Sequence, residues 1–287
     1  MLGALQAEDE RSAETQGDET GTPLRLKHHF GIVLLLCAVL AVTRVAAGSA
    51  VLATAMLPTS STAATSSVTP TSSVVPTATP YVVVIDAGHQ LKADMRTEPI
   101  GPGSSARKPR VESGAAGVVT HRPESLDNLQ IALKLRDVLV KRGVTVVMVR
   151  TKQKVDIPNS KRAKIANAAH ADLFVRLHCD GVTSSSVKGV LTLVPAKNKW
   201  TSPIVKASAR SGRDIQRAVV KLTHAKNRGI TKRGDLSGFN WSKVPTSLIE
   251  MGLMSNRAED RKLASASYQN KLAVGIANGI MSFLAGK

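Results

Sequence analysis

Four side chains in this sequence are of the types that hydrolytic metal sites use: His89, Glu124, His178 and Glu250. Two imidazoles and a carboxylate can hold one zinc ion and leave a fourth position for water. Water held that way ionises near pH 7, and a further carboxylate within reach can take its proton and pass it to a leaving nitrogen. On that assignment His89, Glu124 and His178 are the ligands of a single zinc per chain, and Glu250 is the base. Spacing does not decide the matter. No compact His-Glu-x-x-His is present, and the ligands spread over about ninety residues. Either histidine, taken alone, is more often structural than ligating.

The elements that would carry these residues speak more clearly. Tyr81–Asp86 (YVVVID) is a nearly continuous apolar run, the mark of a strand buried on both faces, and it leads into Ala87-Gly88-His89. Thr145–Val149, Asp172–His178, Gly189–Val194 and Thr246–Glu250 read as further strands. Glu124–Lys141 carries Leu126, Leu129, Leu133, Val138 and Val140 near helical spacing, with Gly143 as a stop. Ser160–His170, Pro203–Leu222, Ala258–Ala264 and Ser267–Leu284 read as helices. Strands alternating with helices predict an α/β fold, a mostly parallel twisted sheet with helices on both faces in a single domain. Ligands of such sheets gather at the carboxyl ends of the strands, where His89, His178 and Glu250 all fall. Leu91–Arg122 differs, being rich in Gly, Pro, Ser and charge without either period. A loop of that length beside His89 is expected to be functional or disordered, and a gating role is one expectation for it.

The folded part is expected over residues 81–287. Before it come a polar tail (1–29), a segment read as a signal peptide or membrane anchor (30–57) and a Ser/Thr/Pro-rich extended linker (58–80). Within the second segment FGIVLLLCAVLAVT (30–43) is an uncharged apolar run of fourteen residues, short for a membrane span. Ala53-Thr54-Ala55 offers a cleavage pattern, whereas the long, partly acidic start suits an uncleaved anchor. Either way, the chain beyond residue 57 is expected outside the cytoplasm. Residues 1–57 hold four basic and six acidic side chains, so 35 basic and 15 acidic ones remain for the rest of a chain whose net charge is +18. That excess attracts polyanions. With aromatics at only 3%, the stacking platform of a single-strand binder is missing, so no specific nucleic-acid site is expected and anionic wall polymers are the better partner. Cys37 and Cys179 do not make a disulfide scaffold, and a monomer is expected.

From Tyr81 onward the sequence resembles the zinc-dependent N-acetylmuramoyl-L-alanine amidases of the amidase-3 type, hydrolases of the bacterial cell wall. The resemblance runs in order through IDAGH (Ile85–His89), ESLDNL (Glu124–Leu129), RGVTVVMVR (Arg142–Arg150), KRAKIANAAHADLFVRLHCDG (Lys161–Gly181) and VPTSLIEMGLMSNRAED (Val244–Asp260). It implies His89, Glu124 and His178 as zinc ligands, Glu250 as the catalytic carboxylate, and peptidoglycan as substrate, cut between N-acetylmuramic acid and L-alanine. Two departures stand out. Gln90-Leu91-Lys92 follow His89 where the family usually has Gly-Gly and an acid. The usual Ser-Ile-His-Ala-Asn reads Arg176-Leu177-His178-Cys179-Asp180.

Neighbouring residues admit two readings each. Asp86 could orient His89 as an acceptor or simply end the strand. Arg233 could fix a substrate carboxylate or carbonyl through its planar fork, or be a plain loop arginine. Cys179 is expected to be a buried thiol, His121, His170 and His224 surface residues, and Asn256 a helix start. Rivals to the amidase reading are a wall carboxypeptidase, a non-catalytic wall-binding module and a polyanion binder.

Overall fold

The computed structural model of the protein describes residues 81–287; the tail, the apolar segment and the linker lie outside the described residues. The elements run β1 (Val82–Ala87), β2 (Asp94–Pro99), β3 (Arg107–Val111), α1 (Glu124–Val140), β4 (Thr145–Met148), α2 (Asn159–Ala168) and β5 (Leu173–Asp180). They continue with β6 (Val190–Pro195), α3 (Val205–Thr223), β7 (Asn227–Arg233), α4 (Ser237–Asn240), β8 (Thr246–Leu253), α5 (Arg257–Leu263) and α6 (Ala266–Ala285). Six strands form one sheet in the order β4-β1-β5-β8-β6-β7. The first four are mutually parallel, while β6 runs antiparallel to β8 and parallel to β7, so the sheet is mixed but mostly parallel.

Alternation along β1 shows how the layers arise. Val83, Ile85 and Ala87 point into the larger core with Leu135, Ile276 and Ile280 of α1 and α6. Val84 points the other way, onto Phe174 and the α2 residues Ala163 and Ala166. A strand buried on both faces must read as an unbroken apolar run, and this one does. Helices α1, α3 and α6 cover one face; α2 and the single turn α4 cover the other. No described helix is long and apolar enough to cross a membrane.

The stretch Leu91–Arg122 is not one irregular loop. Its first half is an antiparallel hairpin, β2 with β3, lying apart from the main sheet. The Trp200 and Trp241 indoles donate to the carbonyls of Pro102 and Pro99 at 2.8 and 2.9 Å, and Glu98 accepts from the Ser160 amide at 2.9 Å. Its second half is tied down by Asp260, which accepts from the amides of Val119 and Thr120 at 2.6 and 2.9 Å. A wall pinned at so many points does not suit the gating expectation. The hairpin escapes a periodicity reading because DMRTEP and RKPRV are polar ribbons with little buried surface. The edge strand β7, NRGITKR, escapes for the same reason.

Candidate active site

His89, Glu124 and His178 are brought together at the carboxyl end of the sheet, with one ligand atom from each within 4.8 Å of the others. His89 Nε2 and His178 Nδ1 lie 3.2 and 3.1 Å from Glu124 Oε1, and the two rings meet edge to face with centroids 4.8 Å apart. Nitrogen and oxygen donors bonded to a tetrahedral zinc at about 2.0–2.1 Å stand roughly 3.3 Å from one another. The donor types and the two histidine–glutamate spacings fit that ion, within a set of donor atoms that lie up to 4.8 Å apart.

Each ligand is held by its surroundings. His89 follows β1 with φ of 57°, and its Nδ1 faces the Glu112 carbonyl at 2.7 Å. A carbonyl only accepts, so Nδ1 donates to it, which leaves Nε2, on the Glu124 side, as the nitrogen that could serve a metal. Glu124 opens α1, where the helix dipole favours a carboxylate. Its Oε2 accepts from the Ala115 amide at 2.8 Å, and its Oε1 from the Cys179 amide and Asn128 Nδ2, both at 3.0 Å. His178 sits on β5, two residues before its end, and its ring packs on Gly88; a Cβ at Gly88 would collide with the imidazole. Gly114, at φ of 81°, leaves room in the same way for Glu124 Oε2 and the His89 ring.

Electrostatics follow from this packing. Burial alone would depress the His89 imidazole, but the adjacent Glu124 carboxylate outweighs it and raises its pKa above the ordinary value. For His178 burial dominates over the hydrogen bond to Glu124 and drives the pKa down to about 4, so the ring is neutral at neutral pH. Glu124, although buried, is held well below the usual carboxylate range by His178 and His89. Glu250 stands beside His178 in the β5–β8 register. Burial first, then the charges of Glu124 and Asp180, push its carboxyl well above the usual range. Its Oε2 and His178 Nε2 are buried without a hydrogen-bond partner among the described residues.

These residues line a cleft of about 780 Å³. Its walls include the β2–β3 hairpin (Met95, Lys108), the apolar trio Leu193, Leu236 and Leu248, and Arg176. Arg233, the last residue of β7, also lines it, with two of its N–H groups spent on a fork to Asp235 at 2.8 Å each.

Asp86 does not orient His89. It points to the α2 face, where its oxygens accept from Arg162 Nη1 at 2.6 Å and Arg176 Nε at 2.8 Å, and all three side chains are buried. Its influence on the site runs through Arg162, whose Nη2 donates to the His89 carbonyl at 3.0 Å. Arg150 clamps the same turn from the other side, donating to the carbonyls of Ala87, Gly88 and Ser125 at 2.7–2.9 Å. Sequence reasoning singled out neither arginine, although an arginine inside an apolar stretch such as FVRL at Arg176 is a usable signal. Glu112 left none, since it acts through its backbone carbonyl. Asn128 could be found from its place one helical turn beyond Glu124. Cys179 is fully buried in the larger core, and Asn256 caps α5 by accepting from the amides of Ala258 and Glu259. His121, His170 and His224 are exposed.

Comparison with known proteins bears on the family and the fold. The family profile described as N-acetylmuramoyl-L-alanine amidase matches residues 83–282. An N-acetylmuramoyl-L-alanine amidase of Mycobacterium tuberculosis is 31% identical over 214 residues, 71% of this chain and 86% of the relative. The amidase AmiC of Escherichia coli is 27% identical over 210 residues, 61% of this chain and 50% of the relative. Among solved structures, the amidase of Mycobacterium smegmatis matches with TM-score 0.65 and 26% identity, covering 72% of this chain and 98% of that one. That of Clostridium difficile matches with TM-score 0.60 and 28% identity over the same shares. The profile runs from β1 into α6 and takes in the whole His89–Glu124–His178 cluster together with Glu250, so the chain belongs to the N-acetylmuramoyl-L-alanine amidase family.

Proposed function

We propose that the protein is a zinc-dependent peptidoglycan hydrolase that cleaves the amide between N-acetylmuramic acid and the L-alanine of the stem peptide. The observation that carries this reading is the pairing of a zinc-compatible donor set with the unpartnered Glu250 carboxyl in one cleft. His89, Glu124 and His178 would hold the metal. The chemistry a zinc would supply there is a bound water whose pKa falls to about 7 and a polarised carbonyl.

Glu250 takes the proton of the attacking water and returns it to the alanine nitrogen as the C–N bond breaks. Water thereby adds across the amide, giving a lactyl carboxylate on the sugar and a free amine on the peptide. Glu250 stands beside His178 in the β5–β8 register and lines the same cleft as the ligands, where its carboxylate can receive the proton and return it. Glu124, fixed by three donors, is kept anionic as a ligand must be. Arg233 at the cleft wall has N–H groups to spare for a substrate carboxylate or carbonyl. The place of action is the cell envelope, reached through the N-terminal segment.

The test uses the full chain, wild type beside Glu250→Ala, with zinc content determined and purified peptidoglycan as substrate. About one zinc per chain in both, with intact stem peptides freed from the sugar by wild type alone, is expected. Absence of zinc, equal release by both, or release of only terminal amino acids would overturn the proposal.

A further inference from the structure

Helix α3 presents a row of cations that the cleft does not use. Lys206, Arg210, Arg213, Arg217 and Lys221 follow one another at intervals of three or four residues. At 3.6 residues per turn they fall within an arc of about 80°, each about 4.5–6 Å further along the axis. The opposite side of the helix, Ser208, Ser211, Gly212, Ile215, Gln216 and Val219, is buried against the sheet and α6. The row therefore faces outward. Arg213, Arg217 and Lys221 also form one wall of a groove closed on its other side by Asn227, Gly229 and Ile230 of the edge strand β7.

Almost nothing neutralises this row. Between residues 203 and 233 the sequence holds nine Lys or Arg against the single acid Asp214. Asp214 pairs with Arg217 at 2.7 Å, leaving that guanidinium side chain 71% exposed. Lys206, Arg213 and Lys221 form no ion pair among the described residues, and the neighbouring α6 carries no acid. Arg210 is tethered by the Phe283 carbonyl at 2.9 Å.

We infer that the outer face of α3, with the groove along β7, binds a linear phosphodiester polymer of the cell envelope, a polyol phosphate, apart from the catalytic cleft. Arginine is suited to phosphate because its fork engages two oxygens at once. A polyol-phosphate repeat of six backbone bonds extends to about 7 Å, twice the span of a three-bond peptide unit, so a slightly contracted chain matches the helical spacing of the cations. A single-stranded nucleic acid fits less well. Its affinity draws on stacking, and the groove lining contains no aromatic side chain. Cleft and row lie on opposite faces of the sheet, the cleft on the α2/α4 side and α3 on the other, so both can be occupied together. A surface of this kind would hold the enzyme at the wall while the cleft works, which gives the general attraction of a basic chain to the wall a specific address.

The experiment measures binding of the full chain to poly(glycerol phosphate) as a function of salt. Wild type is compared with the triple variant Arg213→Ala, Arg217→Ala, Lys221→Ala, chosen because alanine keeps the helix. A control variant Lys152→Ala, Lys154→Ala, Lys161→Ala removes the same net charge from exposed positions elsewhere. The α3 variant is expected to bind about ten-fold or more weakly near 0.1 M salt, with a log–log salt slope shallower by about two, while the control stays within about two-fold of wild type. Equal losses in both variants, or no loss in either, would overturn the inference. So would tighter binding to single-stranded DNA of matched charge, or α3-dependent binding to anionic lipid vesicles without binding to the polymer. Hydrolysis of a small soluble muropeptide should be the same in all three proteins. Because that readout is separate, loss of the proposed activity and loss of this surface remain distinguishable.

Discussion

Replacing Asp86 by asparagine tests whether a buried charge cluster supports the site from below. Asp86 is fully buried and is, among the described residues, the only carboxylate bonded to Arg162 and Arg176, which are 0% and 4% exposed, while Arg150 at 2% exposure lies close enough to add to the same field. Asparagine keeps the shape but removes the charge, leaving buried guanidinium groups uncompensated. Breaking a buried pair from one side costs about 3–5 kcal/mol. For a domain of this size, with a urea slope of about 2–3 kcal/mol/M, the unfolding midpoint should fall by roughly 1–2 M. Because Arg162 also holds the carbonyls of Ala87 and His89, at 3.0 Å each, zinc retention should weaken about 10- to 100-fold. The pH dependence has a definite sign. Burial raises the Asp86 pKa, but Arg162 and Arg176 outweigh it and hold it below the usual range. A depressed carboxylate pKa stabilises the fold above its unfolded value near pH 4, and that stability is lost as the pH falls further. Wild type should show this acid limb and Asp86→Asn should lack its contribution. Adding Arg162→Met to Asp86→Asn should recover part of the loss, since it leaves one stranded partner, Arg176, instead of two. A destabilisation under about 1 kcal/mol in Asp86→Asn, or a double variant much worse than the single, would refute the argument.

Gly88→Ala should abolish or strongly weaken zinc binding at a stability cost of about 1–3 kcal/mol, because the added methyl occupies the place of the His178 ring; zinc analysis beside a thermal melt checks both halves, and full zinc content would contradict the packing. Cys179 should resist alkylation in the native protein and react after denaturation. It is fully buried, and burial with the nearby Glu124 charge pushes its thiol well above its ordinary range, so peptide mapping that finds rapid native labelling there would count against the core placement.

What the sequence disclosed follows from how burial writes a pattern. The strand β1 and the helix α1 were legible because one must be apolar throughout and the other apolar along a stripe. The mixed sheet was legible only in part, since nothing in VLTLVP tells a parallel β6 from an antiparallel one. The hairpin β2–β3 and the edge strand β7 contribute little to any core, so their residues obey no period; the hairpin is fixed by hydrogen bonding to Trp200, Trp241 and Ser160 far along the chain, and β7 by its parallel pairing with β6. The site divides in the same way. His89, Glu124, His178 and Glu250 were candidates because metal and proton chemistry admits few side-chain types and because the family resemblance assigned them these roles, and the fold brings the first three together in one cleft with Glu250. Their supports did not stand out, because several of them are backbone groups. The Glu112 carbonyl sets the His89 tautomer, while the amides of Ala115 and Cys179 fix Glu124. A backbone group is the same in every residue, so its role is set by the path of the chain and not by its letter. That also bears on Asp86, for which contact with His89, three residues on, was one of the two readings open in the sequence. In a strand, side chains alternate across the sheet, and the turn after Ala87 sends His89 elsewhere, so Asp86 meets α2 instead.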